Sequence, residues 1–422
     1  MSKRLVAAVV VALVAMVLAG ILAYQPAAQT QTNTSPRLGS PPSRAAGSDL
    51  AHSLLRAVIE RGNEVSFKAT QTIILWYPTG SSACITNVVH KAPNLTRTDY
   101  LPSATATSGY RVVISDGEST WHYEPSLGVV FHMPGTAPDK SRGGSRGGPG
   151  ADSPGTVSAA GGDGLALIEA NYDISLVSTE SLAGRKAHVI KLKPKNPGNP
   201  SRRIWVDTEL PFILRTEKYG PDGFISSLSF YNYIEFTSQI DDDVFKLQVP
   251  PGVAIVTIPG TEDLMTLEEL QKKAGFAVPV PEFVPAGYVL EGGTLTRRGD
   301  AEVAHIRFTD GLNTISFFVE PPAPRAGRRP GVPGFSDDVG TMNVGRQVAL
   351  DGSKGLLADY QDATLVRWEA SGYEFTLIGE VDESLLLDMA KSVDAPQPRT
   401  PARDSFGGSV IKFFYEFFWA GR

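Results

Sequence analysis

The feature that most constrains this chain is a change of hydrophobic period at Glu64. Upstream, Leu50, Leu54, Leu55, Val58 and Ile59 recur at the spacing of one helix face. Ser48 or Asp49 is placed to cap that helix and Gly62 to end it. Downstream the period is two. In Val65-x-Phe67-x-Ala69 and Ile73-x-Leu75-x-Tyr77 the apolar side chains take one face, while Ser66, Lys68, Thr70 and Thr72 take the other. A slip of one residue would turn every apolar side chain to water, so the segment reads as a half-buried antiparallel strand with a fixed register.

The same alternation recurs, which predicts strands over 83–90, 110–115, 119–123 and 128–133, separated by Asp116-Gly117 and Pro125-Ser126. A Gly/Ser/Pro/Arg insert over 134–164 has the composition of a flexible loop. A short helix over 165–170 then leads to strands over 172–178, 186–193, 202–207, 212–219 and 224–236. In the last of these Leu228, Phe230, Ile234 and Phe236 are read on one face, with Tyr231 and Tyr233 on the other. Roughly ten sequential strands joined by short turns imply one large curved antiparallel sheet over 48–255. A connecting region, 256–280, carries the capping box Thr266-Leu-Glu-Glu269. A smaller α+β domain follows over 281–394, closed by a helix that Asp382 caps and that carries Leu385, Leu386, Met389 and Val393. The fold class is therefore α+β.

The ends set the compartment. Lys3-Arg4 precedes an unbroken apolar run over 5–24, which is the pattern of an export segment and long enough, at about 1.5 Å per residue, to cross a bilayer. Pro26-Ala27-Ala28 is a poor cleavage site, so residues 1–24 are expected to stay as a membrane anchor; cleavage near Gln29 would leave an exported, soluble chain. The basic end remains in the cytoplasm, and everything after Tyr24 works outside. Residues 25–47 read as a disordered tether, and 395–422 as a linker with an aromatic tail. In that tail Phe413, Phe414, Phe417, Phe418 and Trp419 are expected to dock at the membrane–water boundary or in a partner's groove, the alternative being a fold back onto the second domain.

The formal charge of -6 argues against a nucleic-acid partner, which calls for a basic face. A single cysteine, Cys84, excludes an internal disulfide and a multi-thiolate metal site, and the six histidines lack ligand spacing. No metal or cofactor is expected. His122 and Glu124 are two apart on a strand and read as a polar pair sharing a face; Asp241-Asp-Asp243 reads as a turn cap. Without a nucleophile or phosphate-binding motif, the chain reads as a binding protein and not an enzyme. Phe67, Ile73, Leu75, Leu228, Phe230 and Phe236 are expected to line an apolar ligand cavity, unless the 49–61 helix fills that face as core.

Two runs of residues carry a family likeness. Ser115-Asp-Gly-Glu-Ser-Thr-Trp-His-Tyr-Glu-Pro125, Leu182-Ala-Gly-Arg-Lys-Ala-His-Val-Ile190, Ile204-Trp-Val-Asp207 and Pro211-Phe-Ile-Leu-Arg215 resemble lipoprotein carriers of the LolA type and the N-terminal domain of the MucB/RseB regulators. Val284-Pro-Ala-Gly-Tyr288, Phe308-Thr-Asp-Gly-Leu-Asn-Thr-Ile-Ser-Phe-Phe-Val-Glu320 and Leu377-Ile-Gly-Glu-Val-Asp382 resemble the MucB/RseB C-terminal domain, which single-domain carriers lack. The resemblance implies a half-barrel closed by helices around an apolar cavity. It also implies a regulator that binds and protects the extracytoplasmic part of a membrane-spanning anti-sigma factor and senses lipid or lipoprotein acyl chains. A LolA-like lipid carrier or sensor with no sigma-factor link is the second expectation.

Overall fold

A computed structural model gives the architecture and describes residues 44–77, 80–102, 110–125, 128–134, 164–257, 264–298, 301–322, 345–360 and 363–395. The expected anchor, most of the tether, nearly all of the insert, and the tail with Phe413, Phe414, Phe417, Phe418 and Trp419 lie outside the described residues.

The chain opens with helix α1 (Arg44–Arg61), which begins before Ser48 because Arg44, Ala45 and Ala46 are good helix formers. Six strands follow: β1 (Phe67–Tyr77), β2 (Gly80–Lys91), β3 (Leu95–Leu101), β4 (Arg111–Asp116), β5 (Ser119–Glu124) and β6 (Val129–Pro134). Helix α2 (Gly164–Asn171) precedes β7 (Tyr172–Leu182), β8 (Arg185–Pro194), β9 (Ser201–Asp207), β10 (Ile213–Tyr219), β11 (Ile225–Phe236) and β12 (Ala254–Thr257). These strands form one sheet in the order β12-β6-β5-β4-β3-β2-β1-β11-β10-β9-β8-β7. The chain returns at β11 to lie beside β1, so the two halves of the domain join through these two long strands. The sequence reading missed β3, whose Leu-Thr-Arg-Thr-Asp-Tyr-Leu is mostly polar, and β12, which pairs in parallel with β6.

Irregularities bend this sheet. Register shifts fall between Leu176 and Ser178, between Ile213 and Arg215, and opposite Thr70/Gln71, where Asn232 is the extra residue of β11. A bulge of this kind sharpens local twist and changes which side chains face inward.

The second sheet contains β13 (Val289–Arg298), β14 (Ala301–Thr309), β15 (Thr314–Glu320), β16 (Arg346–Leu350), β17 (Ser353–Tyr360), β18 (Ala363–Ala370) and β19 (Tyr373–Gly379). Its order is β13-β14-β15-β19-β18-β17-β16. Helix α3 (Leu267–Lys273) starts with the expected capping box at Thr266 and Glu269, and α4 (Glu383–Lys391) with the expected cap at Asp382. Leu270 of α3 and Leu386 and Met389 of α4 are buried against Ile306, Phe317 and Phe375 of the sheet. The fold is α+β, with a large sheet followed by a smaller one.

Candidate functional site

The residues expected to line a cavity do not all share a face. On β1, Phe67, Ala69, Gln71, Ile73 and Leu75 alternate onto one side. Phe236 opposes Phe67 and Ile234 opposes Ala69, but past the Asn232 bulge Phe230 opposes Thr72 and Leu228 opposes Ile74. Opposed residues in an antiparallel pair point the same way. Leu228 and Phe230 therefore project from the other face, and Tyr231, which the alternation had turned outward, is buried beside Phe67.

The face carrying Ile73 is the one that α1 covers. Ile190, Ile204, Thr216, Ser229, Ile73 and Cys84 are successive partners from β8 to β2. Ile190 and Ile204 pack in one cluster with Ala51, Leu55 and Val58 of α1. Along this face the two ends of β1 differ. Phe67 is fully buried, edge-on to Phe212 at 4.9 Å and to Tyr231 at 5.9 Å, and Phe236 meets Phe212 at 5.1 Å beneath the Arg185 guanidinium. That end is aromatic core. At the other end Leu75 is buried and Ile73 half-buried.

Toward β6 the same face turns polar. Gln71, Thr86, Tyr100 and Arg111 are successive partners across β1 to β4. One step along, Ala69, Val88, Thr98, Val113, His122 and Phe131 run across β1 to β6. Thr86, Tyr100, Arg111, His122 and Glu124 are all buried. Arg111 lies 4.0 Å over the Tyr100 ring, and His122 Nε2 is 3.7 Å from Glu124 Oε2. Burial holds the His122 imidazole below its ordinary pKa; Arg111 pushes the same way and Glu124 opposes them. The sequence showed His122 and Glu124 as an isolated pair. Their neighbours become visible only when the register of six strands is known.

A second built site joins the sheets. The Asp310-Gly-Leu-Asn turn between β14 and β15 inserts Leu312 into the α1 cluster beside Ile168 and Tyr172. The Tyr172 hydroxyl donates to Asp310 Oδ2 at 2.5 Å, and Asn313 Nδ2 donates to the Tyr172 oxygen at 2.8 Å. The backbone N–H groups of Leu312 and Asn313 donate to Asp310 Oδ1 at 2.9 and 2.7 Å. Asn171 Nδ2 donates to the carbonyls of Gly287 and Asp310, at 2.8 and 3.0 Å. Asn199 Nδ2 reaches the Ala286 carbonyl at 3.2 Å, Lys218 pairs with Glu380 at 3.1 Å, and the Asp382 N–H donates to the Gly198 carbonyl at 2.8 Å. Burial, then the Asp310 charge, pushes the Tyr172 pKa well above its ordinary value, so the hydroxyl keeps its proton. Two turn glycines fit because they lack a side chain: a Cβ on Gly287 (φ +91) would meet Asn196 Nδ2 at 2.5 Å, and one on Gly311 (φ +100) would meet Ile168 N at 2.9 Å. The 284–288, 308–320 and 377–382 segments, which carried the C-terminal likeness in the sequence, all contribute to this junction.

Comparison with known proteins agrees with that likeness. Residues 151–248 match the MucB/RseB N-terminal domain. The resemblance is to the MucB/RseB family. By structure, the chain is similar to MucB in the Pseudomonas aeruginosa MucA/MucB complex, with a TM-score of 0.52 at 16% identity, over 82% of this chain and 99% of that one. MucB in a complex with the periplasmic part of MucA gives the same TM-score, identity and coverage. The MucB fold thus extends across both sheets, beyond the segment that matches by sequence. An uncharacterized protein of Methanocaldococcus jannaschii is 23% identical over 224 residues, which span 53% of this chain and 62% of that protein.

Proposed function

We propose that this chain is an extracytoplasmic regulator that binds and protects the extracytoplasmic part of a membrane-spanning anti-sigma factor. It acts by binding, not by catalysis. The observation that carries this reading is the junction: the motifs that resemble the MucB/RseB C-terminal domain lock a second sheet onto the first. A single-domain lipid carrier has no use for such a joint. MucB, whose fold is similar over 82% of this chain, is solved in complexes with MucA. By the family likeness, the corresponding partner here is an anti-sigma factor.

In this reading the 5–24 segment tethers the protein to the cytoplasmic membrane, on the side where its partner emerges. The α1-covered face holds an acyl chain from lipid or lipoprotein, with Ile73 and Leu75 on its wall, and occupancy weakens the grip on the partner. Photo-crosslinking of the full chain in membranes, followed by capture and mass spectrometry, tests the partner. A single-pass protein with a cytoplasmic sigma-binding part is the expected product. Recovery of lipid alone would favour the carrier.

A further inference from the structure

Helices α3 and α4 cover one face of the second sheet, through Ala304, Ile306, Phe317, Phe375 and Leu377. The alternate residues take the other face. There the register aligns a row from Thr294 through His305, Phe318, Thr376 and Arg367 to Leu356, one residue on each strand from β13 to β17. The first five of these are buried, and so are Ser316, Ile378 and Leu365 in the next row. Leu365 and Ile378, at 1% and 3% exposure, belong to neither of the clusters that the described helices form. A sheet buried on both faces needs a layer on each.

We propose that the C-terminal segment 409–422 supplies this second layer, docking across the face as an amphipathic helix, so that the second domain carries a binding face whose occupant is the chain's own aromatic tail. The lengths agree. From Thr294 to Arg367 the buried part of the row crosses four strand spacings, about 19 Å at about 4.8 Å each, and fourteen helical residues at about 1.5 Å span about 21 Å. The reach agrees as well. Described chain ends at Ala395, just past α4, and the thirteen residues 396–408 extend to about 43 Å, against about 29 Å across all seven strands. The chemistry selects the occupant. The His305 ring stacks on the Phe318 ring at 4.1 Å, which makes the middle of the face an aromatic platform, and aromatic side chains favour contact with other rings. In a helix Phe413, Phe414, Phe417 and Phe418 share one arc, while Lys412 and Glu416, four apart, fall on the opposite side toward water. The other long apolar run outside the described residues, 5–24, has Tyr24 as its one aromatic residue and the length of a bilayer span. Docking on the second sheet takes the tail away from the membrane–water boundary and leaves tethering to the N-terminal segment alone.

The test places the photo-crosslinker p-benzoylphenylalanine at Phe417 of the full chain, held in phosphatidylcholine nanodiscs, and identifies the products by mass spectrometry after irradiation and digestion. The expected adducts join the tail to peptides holding Phe318, Leu365 or Ile378. Isotopically labelled and unlabelled chains are mixed in equal amounts before irradiation, and each crosslinked pair should carry one isotope. Adducts with phosphatidylcholine or with the first sheet would overturn the proposal, and pairs of mixed isotope would do the same by assigning the face to a second copy. Hydrogen exchange gives an independent reading. In a full chain with Phe413→Ser, Phe414→Ser, Phe417→Ser and Phe418→Ser, exchange in peptides of β15 and β19 should rise about tenfold, while peptides of β1 and β11 keep the wild-type rate. Unchanged exchange in β15 and β19 would also overturn it. Should the substituted chain fail to fold, the crosslink decides, because it is made with every other side chain in place.

Discussion

Tyr172→Phe removes one hydroxyl from the centre of the junction and leaves the ring in place. Tyr172 is 1% exposed, so water cannot replace what is lost. The hydroxyl donates to a carboxylate oxygen at 2.5 Å and accepts from Asn313 Nδ2 at 2.8 Å. A hydrogen bond to a charged group contributes about 1.5–3 kcal/mol. Asn313 keeps a second acceptor, Asp310 Oδ2 at 3.1 Å, and Asp310 Oδ1 keeps its two backbone donors, so the variant strands few other groups. The expected cost is about 2 kcal/mol, which lowers Tm by about 4–8 °C in a domain of 150–250 residues. Differential scanning calorimetry on the full chain reads both this shift and the shape of the transition. Weakening one of the buried polar ties between the sheets should also broaden or split the endotherm. Tyr233→Phe, at an exposed tyrosine, is the control and should leave the trace unchanged. A Tyr172→Phe trace that superimposes on the wild type would refute the junction as a coupling element.

Other consequences follow from the same contacts. Leu312→Ala should cost about 2–5 kcal/mol by chemical denaturation, because it empties a hydrophobic socket in the first sheet that the second sheet fills. Gly311→Ala should cost about 2–4 kcal/mol, since a Cβ would combine a positive φ with contacts under 3 Å to Ile168. Glu374 opposes Glu320 on one neighbouring strand and Glu369 on the other; burial first, and then Glu320, raises its pKa to about 7 against the pull of Arg367. The folded state therefore holds that proton more tightly than the unfolded chain, so stability should fall as pH rises from about 4.5 to about 7. Urea titrations across that window should show a shallower fall in Glu374→Gln.

Much of the architecture was legible because burial on one face leaves a periodic mark. The 49–61 helix face, the capping box at Thr266, the cap at Asp382 and most strands of the first sheet were read from spacing alone. Reading failed where geometry depends on a partner strand. Nothing in Ser-Phe-Tyr-Asn-Tyr-Ile marks Asn232 as an extra residue, yet that residue moves Leu228 and Phe230 to the other face and buries Tyr231. β3 lacks apolar alternation because its inner residues are Thr96, Thr98 and Tyr100, members of the polar rows. Each row crosses several strands, so the neighbours of His122 and of Thr86 could not be named until the sheet was assembled. The junction was legible as a resemblance and not as a mechanism: Asp310-Gly-Leu-Asn313 stood within a family-like run, and only the fold shows what Leu312 enters.

The central claim, that the two sheets act together as a single binding body, meets its most direct test in one affinity measurement. The extracytoplasmic segment of the single-pass protein captured from membranes is titrated against the full chain and against a chain ending at Val256. The full chain is expected to bind and the shortened chain to lose at least tenfold in Kd. Equal Kd values for the two would show that the first sheet binds the partner alone, and would contradict the account.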